Sequence, residues 1–299
     1  MTPASTRASR AREGLAPALD RIYSVFDHVE SASDPVHIVR RFVSPADREI
    51  VGFCAAGLAF GRVASVLHSI ESLLAVMGPH PATFVRDFDV SRDATAFEPL
   101  VHRWIRGHDL VALMLILQRM LRESGSIEAF LLEGDDPNQP DLGVALDAFS
   151  RRALETDVRA AYRGRRRASP GVQYFFPRPT AGSACKRMNL FLRWMVRRDT
   201  IDMGVWTRVP PARLLVPLDT HVIRLGRCLG LTRYTSPGWK MATEITASLR
   251  AVDPIDPVRY DFSLCHVGMM GACGFSRPQG DAQCPLRGVC RPNARKRPR

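Results

Sequence analysis

A chain of 299 residues, 45% of them hydrophobic, is long enough to bury a core and is expected to form one two-lobed domain or two small ones. Its net charge of +12 predicts a polyanionic partner, either nucleic acid or an anionic membrane. The most apolar stretch, residues 50–61, falls short of the roughly 20 residues that span a bilayer, which argues against the membrane. The N-terminus is basic but has no apolar run behind it, so no secretory signal is predicted, and we expect a cytoplasmic, nucleoid-associated protein.

The spacing of apolar residues predicts a succession of helices along the chain. Residues 1–14 are polar and are predicted to be disordered. Ser44 followed by Pro45 is typical of a helix start and predicts a helix over about 45–60. Apolar residues at helical spacing from Leu110 to Arg122 predict a core helix. No long stretch alternates with period two, so we predict an all-α protein without a sheet.

The later part of the chain sets the domain boundaries. The segment 133–143 combines acidic residues, proline and glycine, and is predicted to be a surface loop that joins the two lobes. The globular domain is expected over 15–290. Residues 291–299 form a basic tail of the kind that contacts phosphates.

A stretch from Arg159 to Arg198 contains eleven basic residues and no acidic one, with six aromatic residues among them. Arginine pairs with phosphates, and aromatic rings stack on or wedge between bases, so this composition favours a double-stranded DNA surface over an ordinary solvated face. The predicted DNA-binding residues are Arg165, Arg166, Arg167, Arg178, Asn189, Arg193 and Arg197.

Part of this stretch predicts an amphipathic helix capped by Ser183. Its solvent-facing stripe would consist of Lys186, Asn189, Arg193 and Arg197, and its core face of Met188, Leu192 and Met195. Lys186 stands out because only three of the 42 basic residues are lysines. A GC-rich genome accounts for most of that bias. However, an amine can lose its proton and attack carbon, whereas a guanidinium cannot.

A second candidate lies in the segment 216–231, where Pro217 and Asp219 precede a helical apolar pattern. Asp219 or Thr220 is therefore predicted to cap a helix, which is the usual role of such a residue. The sequence Leu218–Val222 also resembles the signature that carries the catalytic aspartate in the helix-hairpin-helix DNA glycosylase superfamily. That resemblance implies a two-lobed helical glycosylase in which Asp219 is catalytic.

The superfamily normally has a glycine-rich hairpin before its aspartate, which residues 200–211 lack. In this respect the chain is similar to the archaeal 8-oxoguanine glycosylases, whose lysine lies on a helix further upstream. The resemblance therefore assigns the nucleophile to Lys186, and His221 either supports the site or caps its helix. The chain also resembles an uncharacterised bacterial family related to the superfamily, over most of residues 40–290.

The late cysteines suggest a metal. Many superfamily relatives hold a [4Fe–4S] cluster with four cysteines, and Cys273, Cys284 and Cys290 match three of those positions to within one residue. Cys265, Asp281 or an outside ligand would complete the set. Loss of the cluster and a zinc site remain open alternatives.

These residues lead to a functional expectation. A monomeric DNA glycosylase would release a damaged base, with an oxidised base as one candidate substrate and Asp219 stabilising the positive sugar. Lys186 would add a lyase step through a Schiff base; without it, Asp219 would activate water. The alternative is a non-catalytic DNA- or RNA-binding module on the same fold.

Overall fold

The computed structural model describes residues 14–27, 34–164, 169–270 and 284–290. These residues form a mostly helical protein whose one described sheet is a two-stranded hairpin, so the all-α prediction is confirmed. The α-helices are α1 (Leu15–Phe26), α2 (Val36–Arg40), α3 (Pro45–Leu58), α4 (Val63–Met77), α5 (Pro81–Arg86), α6 (Val90–Phe97), α7 (Gly107–Ser124), α8 (Ile127–Leu132), α9 (Gly143–Leu154), α10 (Pro170–Gln173), α11 (Lys186–Val196), α12 (Thr220–Cys228), α13 (Trp239–Arg250) and α14 (Asp261–Met269).

The hairpin lies between α6 and α7 and pairs β1 (Val101–His102) with β2 (Ile105–Arg106) in antiparallel register. Two residues per strand are too few to produce a period-two pattern, which is why the sequence did not predict them. Among the described helices, none combines the length and apolarity that crossing a bilayer requires.

Two apolar helices form much of the core, as the sequence predicted. Helix α3 begins at Pro45 and is buried continuously from Glu49 to Leu58. Ser44 occupies the N-cap position, but its side chain makes no capping hydrogen bond. Helix α7 buries its predicted apolar positions around Leu113 and Leu117 and ends at Gly125, whose left-handed backbone favours glycine.

A buried carboxylate ties α3 to distant parts of the chain. Glu49 is 4% exposed and accepts hydrogen bonds from the backbone N–H groups of Ile127 and Glu128, both at 2.9 Å. It also accepts one from Nε1 of Trp206 at 2.8 Å. Burial raises the pKa of Glu49, and these three donors oppose that rise. Glu49 thereby fixes the start of α8 and the segment after α11 against one helix.

The segment 133–142 between α8 and α9 lies at the surface and contains neither helix nor strand. Arg213 anchors it by donating from both terminal nitrogens to Asp135, each at 2.7 Å. A bidentate pair of this kind fixes orientation as well as position. The loop is therefore held against the short 3-10 turn Pro211–Arg213, which precedes α12.

Helix α11 packs on α3 at close range. The ring of Phe191 meets that of Phe53 edge to face with centroids 5.3 Å apart. A Cβ atom at Gly52 would lie 2.8 Å from Cε of Met195, so glycine permits this approach. Met188, Leu192 and Met195 are buried, which confirms the predicted core face of α11.

Helix α14 packs against both α12 and α1. Gly268 of α14 lies so close to His221 that a Cβ there would be 2.5 Å from the histidine Cβ. Two ring contacts join α1 to this region. Phe26 of α1 packs against His266 of α14, and Tyr23 of α1 packs against Tyr260, the residue before α14. The N-terminal ends of α11 and α12 and one face of α14 consequently surround a single cavity.

Candidate active site

The cavity has a volume of about 140 Å³, and Lys186 and Asp219 both line it although they are 33 positions apart in the sequence. The other ionisable side chains of its wall are Asp34, Arg193, Asp261, Cys265 and His266. Its volume is close to the roughly 150 Å³ of a cavity that admits benzene, so one ring of a nucleotide matches it in size.

Lys186 is the first residue of α11 and is half-buried. The N-cap residue is Cys185, whose left-handed backbone (φ 48°) turns the chain into the helix. The prediction that Ser183 caps the helix is wrong, because its Oγ instead accepts from the N–H of Cys185 at 3.1 Å, two residues on. Lys240, the other lysine among the described residues, is exposed on α13.

Asp219 divides its two oxygens between two tasks. Oδ1 accepts from the backbone N–H of Val222 at 2.6 Å, which confirms the predicted N-cap of α12. Oδ2 accepts from the Cys265 thiol at 2.7 Å. Burial raises the pKa of Cys265, and the charge of Asp219 raises it further, so the sulfur keeps its proton and remains a donor.

A buried ion pair forms the wall beside Asp219. Nη1 of Arg193 donates to Oδ2 of Asp261 at 2.5 Å, and Nε of Arg193 donates to Oδ1 of Asp202 at 3.2 Å. Burial raises the pKa of Asp261 to about 7; Arg193 opposes the rise and nearby Asp219 adds to it. Asp261 can therefore exchange a proton close to neutral pH, next to the carboxylate of the candidate site.

The predicted solvent-facing stripe on α11 is wrong beyond Lys186. Asn189 and Arg193 are each 2% exposed and Arg197 is 3% exposed. Arg197 pairs with Asp199 at 2.8 Å and with Asp256 at 2.9 Å, and it also bonds Asp202. The Asn189 amide donates to the carbonyl of Ala184 at 3.2 Å.

The physical reason is that the compensating carboxylates lie outside the acid-free stretch and fold back onto it. Arg193 and Arg197 are enclosed by these pairs, and Asn189 is enclosed with its amide on the carbonyl of Ala184, so these three predicted phosphate contacts are corrected. Arg178 is exposed, as a phosphate-binding residue must be. Arg165, Arg166 and Arg167 lie outside the described residues.

Residues 34–270 match the model of a protein family described as "Protein of unknown function (DUF2400)". The match covers well over half of the chain. The chain belongs to the DUF2400 family. No curated protein and no solved structure matches it.

Assignment to the helix-hairpin-helix glycosylase superfamily is therefore corrected: the model that matches this chain is that of DUF2400. The missing glycine-rich hairpin already pointed away from the superfamily. Between α11 and α12 the chain instead runs through an irregular segment with one 3-10 turn. The five residues Leu218–Val222 then carry the likeness alone, and their pattern is also that of an ordinary helix N-cap.

All residues that line the cavity of this DUF2400 member fall inside the matched range, whereas Cys273, Cys284 and Cys290 fall beyond it. Cys273 and Asp281 are outside the described residues, so the four-ligand cluster stays a prediction. The described residues contain no group of three or more His, Cys, Asp or Glu that could hold a metal ion. The Cys265 thiol stays protonated and donates a hydrogen bond to Asp219. This counts against Cys265 as the thiolate that would complete the cluster.

His221 does not line the cavity of the DUF2400 chain. Its ring packs against Gly268, and its buried Nδ1 has no hydrogen-bond partner among the described residues. Asp219 provides the side-chain cap of α12. His221 therefore acts in the packing of α12 on α14, through which it can affect the position of Asp219.

Wider depressions occur elsewhere on this DUF2400 chain. One of about 520 Å³ lies beside Trp239, and one of about 980 Å³ lies beside Tyr162. The described residues of these two walls include no lysine and no cysteine. The smaller cavity is the stronger candidate because it brings an amine, carboxylates and a thiol together.

Among the cavity residues on α14 of the DUF2400 chain, sequence reasoning missed Asp261, Phe262 and His266. A signal was available, since each of the pairs Asp261/Cys265 and Phe262/His266 is spaced i, i+4 and so falls on one helix face. Cys265 had been considered only as a metal ligand.

Proposed function

We propose that this protein is a DNA-binding enzyme that removes a base from DNA, with Lys186 as nucleophile and Asp219 as its charged partner. The observation that carries the proposal is that Lys186 and Asp219 line one ring-sized cavity. The net charge of +12 supports a polyanionic substrate.

The reaction follows from the chemistry of these two groups. As the bond from C1′ to the base nitrogen breaks, the base leaves with the electron pair and takes up a proton. Nζ of Lys186, deprotonated by Asp219 or water, forms the new bond to C1′. The sugar ring opens to an imine, which permits β-elimination of the 3′ phosphate. Asp219, held between Val222 and Cys265, stabilises the positive charge that develops on the sugar.

Borohydride trapping tests the lysine. A duplex that carries an abasic site already presents the sugar aldehyde, so the test does not depend on which base is the substrate. Reduction of the imine should yield a covalent protein–DNA adduct. Lys186→Arg keeps the positive charge but cannot form an imine, so the adduct should vanish while binding remains. Lys240→Arg, a change at the exposed lysine, is the matched control and should trap normally.

Base release from a panel of lesion duplexes tests the aspartate. Asp219→Asn keeps the side-chain size and a capping oxygen, so it should fold and bind but lose release by about 10²- to 10³-fold. An adduct that persists in Lys186→Arg would place the nucleophile on another amine. Full release by Asp219→Asn would reduce Asp219 to a helix cap. No release by the wild-type protein on any lesion of the panel would favour a non-catalytic DNA- or RNA-binding module.

A further inference from the structure

The two-residue turn of the hairpin presents an exposed tryptophan. Arg103 and Trp104 connect β1 to β2, and Trp104 is 50% exposed. Trp104 is the only aromatic residue among the exposed large hydrophobic side chains of the described chain. Arg103 has φ 56°, a left-handed backbone conformation that residues other than glycine rarely adopt. Such strain persists where the surroundings hold it and is common at functional sites.

The hairpin is held from below by a buried histidine. Nδ1 of His102 lies 2.9 Å from Oγ of Ser69, and Nε2 lies 3.0 Å from the carbonyl oxygen of Phe60. Burial lowers the pKa of His102, which favours the neutral ring that these two partners need. The turn therefore has a fixed position relative to α4 and the end of α3.

Trp104 belongs to an aromatic platform formed by Phe60, Trp104 and Tyr174. The Trp104 centroid lies 5.0 Å from that of Phe60 and 4.9 Å from that of Tyr174. The guanidinium of Arg187 lies 3.3 Å from the Tyr174 centroid and donates to the carbonyl of Gly57 at 3.0 Å. These contacts order the ring of Trp104 on one side and leave half of its surface to solvent.

The chain segments that contribute to the platform are rich in arginine. Three segments without any acidic residue converge here: 50–70, which contains Phe60, 99–108, which contains Trp104, and 159–198, which contains Tyr174. Arg62, Arg103 and Arg106 in these segments are exposed. This combination of guanidinium groups with a half-exposed ring suits phosphates and a base, whereas a protein partner with an apolar face would not require the arginines.

The platform adjoins the candidate cavity through the chain itself. Arg187, which stacks on Tyr174, directly follows Lys186 in α11. Val63, three residues after Phe60, lines the cavity. Val63 and Met269, another lining residue, are both exposed. Residues of the platform and residues of the cavity wall are therefore close neighbours in the chain at two places.

We propose that Trp104 stacks on an unpaired base of a nucleic-acid strand whose phosphates are held by Arg62, Arg103 and Arg106. The inference rests on the proposed function for its partner class, because both take DNA as the ligand. It assigns the surface that holds the strand, and its test needs no base release.

Binding of a fluorescein-labelled ten-nucleotide oligothymidylate to the full chain, followed by anisotropy, measures the stacking. Trp104→Ala should raise Kd about thirtyfold, the middle of the range for loss of one base–aromatic stack. Trp104→Phe keeps an aromatic ring and should stay within about threefold of the wild type. An unchanged Kd for Trp104→Ala, or no binding of the oligonucleotide by the wild type, would overturn the proposal.

Intrinsic fluorescence with unlabelled oligothymidylate locates the contact. Trp194 and Trp206 are buried, so quenching on binding should come from Trp104 and disappear in Trp104→Phe. Trp239→Phe, at a half-buried tryptophan on α13, should keep the quenching. Quenching that survives Trp104→Phe contradicts the inference. Normal quenching without a borohydride adduct would overturn the proposed chemistry alone, and a normal Kd for Trp104→Ala together with an adduct would overturn the stacking alone.

Discussion

The two ends of α11 carry the same kind of charge and use it differently. At its start, Lys186 is half-buried at the cavity and Arg187 stacks on Tyr174 beside the exposed hairpin. At its end, Arg193 and Arg197 are buried and paired with aspartates. A run of basic residues in a sequence therefore does not define a basic surface. The positions of the compensating carboxylates decide which charges remain available to a ligand.

Of the two ends of α11, the end with the buried arginines should contribute more to the stability of the fold. Arg193→Met removes the arginine that pairs with Asp261 and one of the two arginines that pair with Asp202, so the buried Asp261 loses its ion pair. Breaking a buried pair in this way typically costs about 3–5 kcal/mol. Urea unfolding should show that loss in the free energy of unfolding. Arg198→Ala changes the neighbouring exposed arginine and should stay within about 0.5 kcal/mol of the wild type. Equal losses in both variants would remove the distinction between buried and exposed arginines.

The same cluster should make stability depend on pH. In the unfolded chain Asp261 loses its proton near pH 4, whereas its folded pKa is raised to about 7. Between these values the folded state holds a proton that the unfolded state has released. The stabilising contribution of Asp261 is therefore complete below about pH 4 and is lost as pH rises through about 7.

Asp261→Asn isolates this effect. The free energy of unfolding of the wild type minus that of the variant should fall between pH 5 and 8, at most by about 1.4 kcal/mol per pH unit. Asp199→Asn is the control. Burial acts to raise the pKa of Asp199, but Arg197 and the N–H groups of Asp202 and Ile201 lower it overall, so its difference should be flat over this range. A flat difference for Asp261→Asn would mean that Asp261 is ionised throughout.

Local features of the fold could be predicted from the sequence because each depends on neighbours along the chain. The start of α3 at Pro45, the apolar face of α7 and the capping role of Asp219 follow from helix geometry and capping chemistry. The meeting of Lys186 and Asp219 was expected only from a resemblance that the family match does not support.

The remaining features depend on contacts across the fold. Asp256 lies 59 residues beyond Arg197 and Asp261 lies 68 residues beyond Arg193, and no periodicity reveals that pairing. Cys265 meets Asp219 across 46 positions. The hairpin that carries Trp104 was missed for a different reason, because its strands are too short to show a pattern. Only the exposure of the Trp104 side chain in the structure distinguishes it.

The smallest expected effect concerns the exposed arginines. Their loss should change the salt dependence of duplex binding. Each phosphate contact that is lost makes the log–log slope of affinity against salt shallower by about 0.9. Arg62→Ala and Arg178→Ala remove exposed guanidinium groups near the platform and within the acid-free stretch, so each should flatten the slope by up to that amount. Arg233→Ala is the matched control, because Arg233 is exposed but paired with Glu244 at 3.3 Å, and it should leave the slope unchanged. A slope that changes in Arg233→Ala but in neither of the other variants would place the duplex on a different face of the molecule.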